Sequence, residues 1–487
     1  MNEGGKSDGC VVPARSANKI VEAVAEPVEG RRPAKGNTAS KTRPGRRAGQ
    51  GAPSALDRVR EVAKRDKEVR FTALLHHVDL DRLRAAYRAV RPQAAPGVDG
   101  VTWAAYGQDL EANLRDLHGR VQAGRYRAKP VRRVYIPKAD GRQRPLGIAS
   151  LEDKIVQRAV VEVLNAVYEV DFRNFSYGCR PGRSPHQALD ALTVGIERRR
   201  VSWVLDADIR DFFTGLDHGW VERFLRHRIG DERVLRLISK WLAAGVMQDG
   251  AWSQTEPGIA QGAPASPLLA NLYLHHVFDL WADWWRRHHA RGDVIIVRFV
   301  DDFIVGFEHQ ADAQRFLAGL RERLAKFGLE LHPDKTRLIE FGRYAAERRR
   351  RRGQGKPETF QFLGFTHICA INRRGRFWVR RITVAKRMRA KLREVKDQLK
   401  VRRHQPVPEQ GWWLASVVRG HRAYYAVPGN RVAVASFRTQ VTKLWHEALE
   451  RRSQRARVSW ARMNRLATRW LPPANVVHPF PDMRLRV

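Results

Sequence analysis

VIIVRFVDDFIVGF, running from Val294 to Phe307, sets two adjacent carboxylates, Asp301 and Asp302, in the middle of β-branched and aromatic residues. A run this rich in Val, Ile and Phe reads as strand on both sides, with the acids at a tight turn between them. Two ionised carboxylates side by side are costly to bury unless positive charge sits on them. Phosphoryl-transfer sites meet that cost with divalent metal, so acids at a hairpin tip make a cradle for Mg²⁺. Taken alone, an Asp-Asp pair is more often a solvated turn. The rest of the chain decides between the two.

Of 487 residues, 90 are Lys or Arg and 51 Asp or Glu, a formal net charge of +39. Such a balance excludes an enzyme of neutral substrates that has no polyanion partner. A nucleic-acid backbone is the natural counter-charge. A membrane surface fits poorly, because no amphipathic basic helix and no long apolar span stands out. The three cysteines, Cys10, Cys179 and Cys369, form no C-x-x-C pair. Structural zinc and a disulfide framework are therefore not expected, and a reducing cytoplasm is the default.

Residues 1–54 are Gly, Ala, Pro, Ser and Arg with almost no aromatics, the composition of a disordered basic arm. Helical periodicity starts near Leu56, and 55–130 reads as an N-terminal helical extension broken at Pro96–Gly100. VRRVYIP (131–137), a turn at 138–141 and the stretch 143–148 read as a hairpin. A buried helix follows from Leu151, then a strand over 201–209 that ends in acids. After the Asp-Asp hairpin come a helix over 310–327, strand-turn-strand over 328–341 and a strand-like stretch over 359–371. Five arginines, Arg348 to Arg352, read as an exposed loop. From 376 onward the pattern is taken as a separate helical domain, with Trp412, Trp445 and Trp460 mostly core residues.

Three features converge. Asp206-Ala207-Asp208 ends a strand about 95 residues before Asp301-Asp302, so two strand-borne acid sites can share a two-metal centre at a sheet edge. Small residues (Gly258, Gly262, Ala263) flank Gln261 and let backbone lie flat against a base pair or sugar. Lys138 and Arg144 flank a hairpin where they could hold a triphosphate. In this order, ahead of a basic, aromatic helical region, the signals read as a template-directed polymerase.

The chain resembles the group II intron reverse transcriptases, or maturases, of bacterial type. The matching segments are PGVDGVTWAAY (96–106), IPKADGRQRPLGIASLEDKIVQRAVVEVL (136–164), FSYGCRPGRSPHQAL (175–189), DADIRDFFTGLDH (206–218), PGIAQGAPASPLLANLYLHHVFD (257–279), RFVDDFIVGF (298–307), GLELHPDKTRLIEF (328–341) and FQFLGF (360–365), with LPPANVVHPFPDMRL (471–485) similar to the close of the family's thumb. The resemblance implies an α+β right-hand polymerase. Fingers and palm with an antiparallel palm sheet would occupy 131–375, and an α-helical thumb or X domain 376–487. It implies an RNA-directed DNA polymerase that uses Mg²⁺ and dNTPs. The polymerase would extend a DNA primer or target on an RNA template, bind group II intron RNA and assist its splicing. Asp208, Asp301 and Asp302 match the palm acids, and the carbonyl of Ile209 would complete a metal shell. Phe213 matches the ring beneath the sugar, with Phe212 its rival. Gln261, Lys138, Arg144 and Lys335 match nucleotide contacts, and Gly364 a position near the primer end. A cytoplasmic, nucleoid-associated protein is implied.

Departures are few. Phe299-Val300 stands where the family usually has Tyr-Ala, Thr214 where an acid is common, and Ala260-Gln261-Gly262-Ala263-Pro264 in place of Pro-Gln-Gly-Ser/Thr-Pro. No HNH endonuclease segment is read after the thumb motif, so priming at a nick or replication fork is expected rather than second-strand cleavage. Two other readings stand beside the polymerase. One is a splicing cofactor with little polymerase activity, against which the three clustered acids argue. The other is a domesticated relative in host defence or CRISPR adaptation.

Overall fold

The computed structural model describes residues 54–137, 143–248, 250–253, 258–454 and 457–485. The expected basic arm, apart from Ser54, and the 138–141 turn with Lys138 lie outside the described residues. The strands, in chain order, are β1 (Val131–Pro137), β2 (Gln143–Ile148), β3 (Trp203–Asp208), β4 (Val246–Gln248), β5 (Ala251–Ser253), β6 (Val294–Phe299), β7 (Asp302–Phe307), β8 (Arg337–Glu340), β9 (Phe360–Phe362), β10 (Phe365–Ile371) and β11 (Phe377–Thr383). They form three sheets, ordered β2-β1-β4-β5, β6-β7-β3-β8 and β11-β10-β9.

The central sheet β6-β7-β3-β8 is antiparallel throughout. Its apolar runs are continuous because both faces are covered, and the two-residue period sorts them. Leu205, Ala207, Ile296, Phe303, Val305 and Phe307 face the largest core. Val204, Val297, Ile304 and Ile339 face a second core, shared with Phe360, Phe362, Phe365 and Val379 of the third sheet. Helices supply the first cover. Leu151–Tyr168 is capped by the Ser150 hydroxyl, which accepts from the Asp153 N–H at 3.1 Å, and it buries Ile155, Val156, Val160 and Val163. A long helix opens at Ser266–Leu274, passes through a π turn at His275–Asp279 and closes over Leu280–His288.

The C-terminal helices are Ala385–Val401, Val407–Tyr425, Arg431–Glu450 and Trp460–Trp470, around a third core of Leu399, Leu414, Phe437, Val441, Trp445 and Met463. The region from 376 nevertheless begins with a strand, β11, hairpinned to β10 in full register from Phe365↔Thr383 to Ile371↔Phe377. Among the three tryptophans expected in the core, Trp445 is buried, its indole N–H donating to Gln410 Oε1 at 2.8 Å. Trp412 and Trp460 are 66% and 50% exposed. The arginine run is not a loop. It forms the helix Ala345–Arg351, because the nearly buried Glu340 of β8 needs cations and takes them from Arg348, at 3.1 Å, and Arg352. The 328–341 stretch keeps one strand, β8, preceded by a single bridge, Ile209↔Leu331. The short strands β4 and β5 had no counterpart in the sequence reading; β4 runs parallel to β1 through Val131↔Val246 and Arg132↔Met247.

Candidate active site

The sheet register brings the acids together. β3 and β7 pair so that Asp208 stands directly opposite Asp302, and the β6–β7 turn, Val300-Asp301, closes the pair Phe299↔Asp302. Directly opposed strand residues have Cβ atoms about 4.5–5.5 Å apart. By the same alternation, Asp206, Asp208 and Asp302 share the sheet face that carries Val204 and Ile304. Like charges so placed repel, and burial adds to the cost. Burial first, then the fields of Asp206, Asp208 and Asp301, push the Asp302 carboxyl far above the usual range. Asp301 is raised by burial and by Asp208, against its own backbone N–H, Arg144 and Lys335. Burial lifts Asp206 to about 6 despite Arg337, which lies 3.7 Å away on β8. Val300 has φ +60°. For a β-branched residue that conformation costs on the order of 1–3 kcal/mol, a strain that collects at functional turns.

The expected site residues are distributed around these acids. Lys335 places its ammonium on the Asp208 carboxylate. Arg144, exposed on β2, lies within electrostatic reach of Asp301. The Ile209↔Leu331 bridge uses the Asp208 carbonyl, accepting from His332 N–H at 2.8 Å, and the Arg210 N–H, donating to Glu330 at 2.8 Å. The Ile209 carbonyl takes part in neither bond. Of the two adjacent rings, Phe212 is buried in the main core, whereas Phe213 is half-buried and lines a cleft with Gln261, Leu146, Gly147 and Ile259. Of the pair, Phe213 is the ring that faces the cleft. The Gln261 loop is held by backbone. Ile259 N–H donates to the Phe213 carbonyl at 2.7 Å, and Gly147 N–H to the Gln261 carbonyl at 2.8 Å. Gly258 (φ +110°) passes so close to Thr214 that an added Cβ would lie 3.0 Å from its Cα.

Gly364 (φ +83°) and Leu363 (φ +47°) form the two-residue turn between β9 and β10, both left-handed as a tight hairpin requires. An added Cβ at Gly364 would lie 3.1 Å from Arg387 Nη1, on the first turn of the first C-terminal helix. Arg387 also tempers Asp302. Sequence reasoning placed Asp206 at the acidic strand end but assigned it no role of its own; the register sets it on the same face as Asp208 and Asp302. Sequence reasoning missed Arg387, for which one sequence carries no signal. Among the described residues, no group of three or more His, Cys, Asp or Glu side chains is drawn together to hold a metal. The donors are nevertheless the oxygen ligands that hard cations take. The acids crowd like charge that Lys335 on Asp208, Arg337 near Asp206 and the fields of Arg144 and Arg387 offset in part. In chemistry the set fits divalent metal.

A family model described as reverse transcriptase (RNA-dependent DNA polymerase) matches residues 136–367. Protein YkfC of Escherichia coli (strain K12) is 34% identical over 277 residues, 50% of this chain and 72% of that protein. Group II intron-encoded protein LtrA of Lactococcus lactis subsp. cremoris is 32% identical over 224 residues, 46% of this chain and 37% of LtrA. An uncharacterized 91 kDa protein in the cob intron of Schizosaccharomyces pombe is 39% identical over 148 residues, 30% of this chain and 18% of that protein. The chain thus spans most of YkfC but well under half of the other two. The matched segment contains β3, the β6–β7 hairpin and the Leu363-Gly364 turn, and its mixed helix and antiparallel sheet agree with the right-hand polymerase fold that such a domain implies. The chain belongs to the reverse transcriptase (RNA-dependent DNA polymerase) family and is a group II intron reverse transcriptase/maturase.

Proposed function

We propose that the protein extends a DNA primer on an RNA template with two Mg²⁺ ions, and that it binds a group II intron RNA and assists its splicing. The observation that carries this reading is the cross-strand pair Asp208↔Asp302 with Asp301 at the adjoining turn. Asp208, Asp301 and the Ile209 carbonyl would hold the ions, with Asp302 supporting from beside them. Bound there, Mg²⁺ supplies charge stabilisation to the phosphoryl group and lowers the pKa of the primer 3′-hydroxyl.

The chain's own groups do the rest. Lys335, released from Asp208, and Arg144 bind and neutralise the triphosphate, with Lys138 the expected third cation. Phe213 bounds the cleft where the sugar would lie, so a 2′-hydroxyl meets its ring. Gln261 orients the incoming nucleotide on the template from a loop fixed by backbone hydrogen bonds. The Gly364 turn and Arg387 steady the primer end. In this reading 55–130 extends the fingers, 131–375 forms fingers and palm, and the helices after β11 form the thumb. The basic charge of those helices suits the backbone of an A-form hybrid, whose shape is recognised without base contacts. No helix among the described residues is long and apolar enough to cross a membrane.

Primer extension on an RNA template with Mg²⁺ and dNTPs tests the reading. Extension by wild type that vanishes in Asp301→Ala supports it. Tight RNA binding with no extension by either protein would sink it and favour the splicing cofactor.

A further inference from the structure

Beneath the Val300-Asp301 turn, on the sheet face opposite the acids, lies a buried charge whose three guanidinium nitrogens all donate to protein partners. Arg298 of β6 is fully buried. Its neighbour Val297 faces the second core, so Arg298 faces the largest one. Its guanidinium donates in a fork to Asp279, Nε to Oδ1 at 2.7 Å and Nη2 to Oδ2 at 2.6 Å. Nη1 donates to Asn271 Oδ1 at 3.0 Å and to the carbonyl of Val300 at 3.0 Å. Asn271 in turn donates from Nδ2 to the Gly178 carbonyl at 2.7 Å. Gly178 is where an added Cβ would meet Val300, 2.5 Å from its Cγ2 and its backbone nitrogen. Asp279 closes the π turn His275–Asp279, a register shift that recurs at functional positions.

The turn atom that this network reaches is the carbonyl of the residue held at φ +60°. A β-branched residue does not rest there unaided, and that carbonyl would point elsewhere if the backbone relaxed. We propose that Arg298, Asp279 and Asn271 form a polar strut that holds the Val300-Asp301 turn in its working conformation. These are positioning residues: none reaches the face where substrate would lie. The inference rests on the polymerase reading of that site for its functional consequence, and on the geometry alone for its conformational one.

Four full-length proteins test it: wild type, Asn271→Ala, Val300→Gly and the double variant. Arg298→Lys, which keeps the charge but loses the fork, serves as a fifth. In primer extension, Asn271→Ala and Arg298→Lys should lose about tenfold in kcat, with KM for dNTP within about twofold, as a misplaced catalytic group does. Glycine adopts φ +60° without strain. The Asn271→Ala loss should therefore shrink to about threefold or less when Val300→Gly is already present. Equal losses in both backgrounds, or a fall in thermal stability with unchanged kcat, would overturn the strut. Amide hydrogen exchange across 298–303 reads the same coupling without activity. Exchange should accelerate in Asn271→Ala; unchanged exchange would also overturn the proposal. A wild type inactive in extension refutes the polymerase reading, and the exchange result still decides the strut.

Discussion

Two charge systems lie on opposite faces of one sheet. On the face toward the largest core, Arg298 and Asp279 meet in a bidentate pair at 0% exposure, with Asn271 and the Val300 carbonyl accepting from the remaining guanidinium nitrogen. On the other face, Asp206, Asp208, Asp301 and Asp302 crowd together, and burial with mutual repulsion pushes three of them toward protonation. The sheet is shared; what differs is burial and pairing, since Lys335 meets Asp208 and Arg337 lies 3.7 Å from Asp206, whereas Asp301 and Asp302 feel the fields of Arg144, Lys335 and Arg387. Where the protein supplies its own counter-charge, the charge is architecture. Where it leaves a deficit, at Asp301 and Asp302, the proposed function has cations from outside supply the balance, and the apo protein carries the repulsion as a cost in stability.

Removing a charge should therefore have opposite consequences on the two faces. Asp301→Ala should abolish primer extension, by about 10³-fold or more, while leaving the melting temperature measured without divalent metal equal or higher. A lower melting temperature would contradict the idea that this acid is a burden to the fold. Asp279→Asn strands Arg298 without its counter-ion and should destabilise the protein by about 3–5 kcal/mol in denaturant titration. A loss under about 1 kcal/mol would mean that the matched pair is not structural. A subtler contrast concerns the cleft. Phe213→Ala should raise ribonucleotide incorporation relative to deoxynucleotide by about 10- to 100-fold in single-nucleotide kcat/KM. The equivalent change at buried Phe212 should lower stability instead.

The smallest effect concerns pH. His367, buried and stacked on Phe360 at 4.6 Å, has its pKa lowered to about 3 by burial, with Arg381 adding to the shift. An unfolded histidine titrates near ~6.5. Between these values the unfolded chain binds a proton that the folded state refuses, so stability rises with pH across that window and falls as pH drops. His367→Phe should flatten the slope of unfolding free energy between about pH 3 and 6.5, and an unchanged slope would assign it to other groups.

Much of the site was legible because its residues are consecutive on strands. The Asp-Asp hairpin, the Asp206–Asp208 strand end and the Gln261 loop follow from alternation, turn chemistry and glycine spacing. Lys335 was readable only through its motif, since a lone lysine in a turn carries no pattern. The strands β4 and β5, three residues each, are too short for a period to show. The arginine run was misread because its organiser, Glu340, lies on another element, and a charge run looks solvated until a buried acid is known to face it. Trp412 and Trp460 were misplaced for the reverse reason: composition says that tryptophan is usually buried and is silent about which turn of a helix faces out. Arg298 did carry a signal, a lone charge inside VIIVRFV. An arginine in a doubly covered strand requires a buried acid somewhere.

A single residue, Val384, separates the end of β11 at Thr383 from the helix beginning at Ala385. Its N–H donates to the Gly364 carbonyl at 3.1 Å, and the Tyr424 hydroxyl donates to the Leu363 carbonyl at 2.8 Å. The helical bundle is therefore geared to the turn beside the acids, with no slack linker between them. Any outward displacement of the helices has to bend the β10–β11 hairpin, and the turn at its base moves in step. Under the proposed function, grip on the departing duplex and alignment of the primer end would be one mechanical degree of freedom.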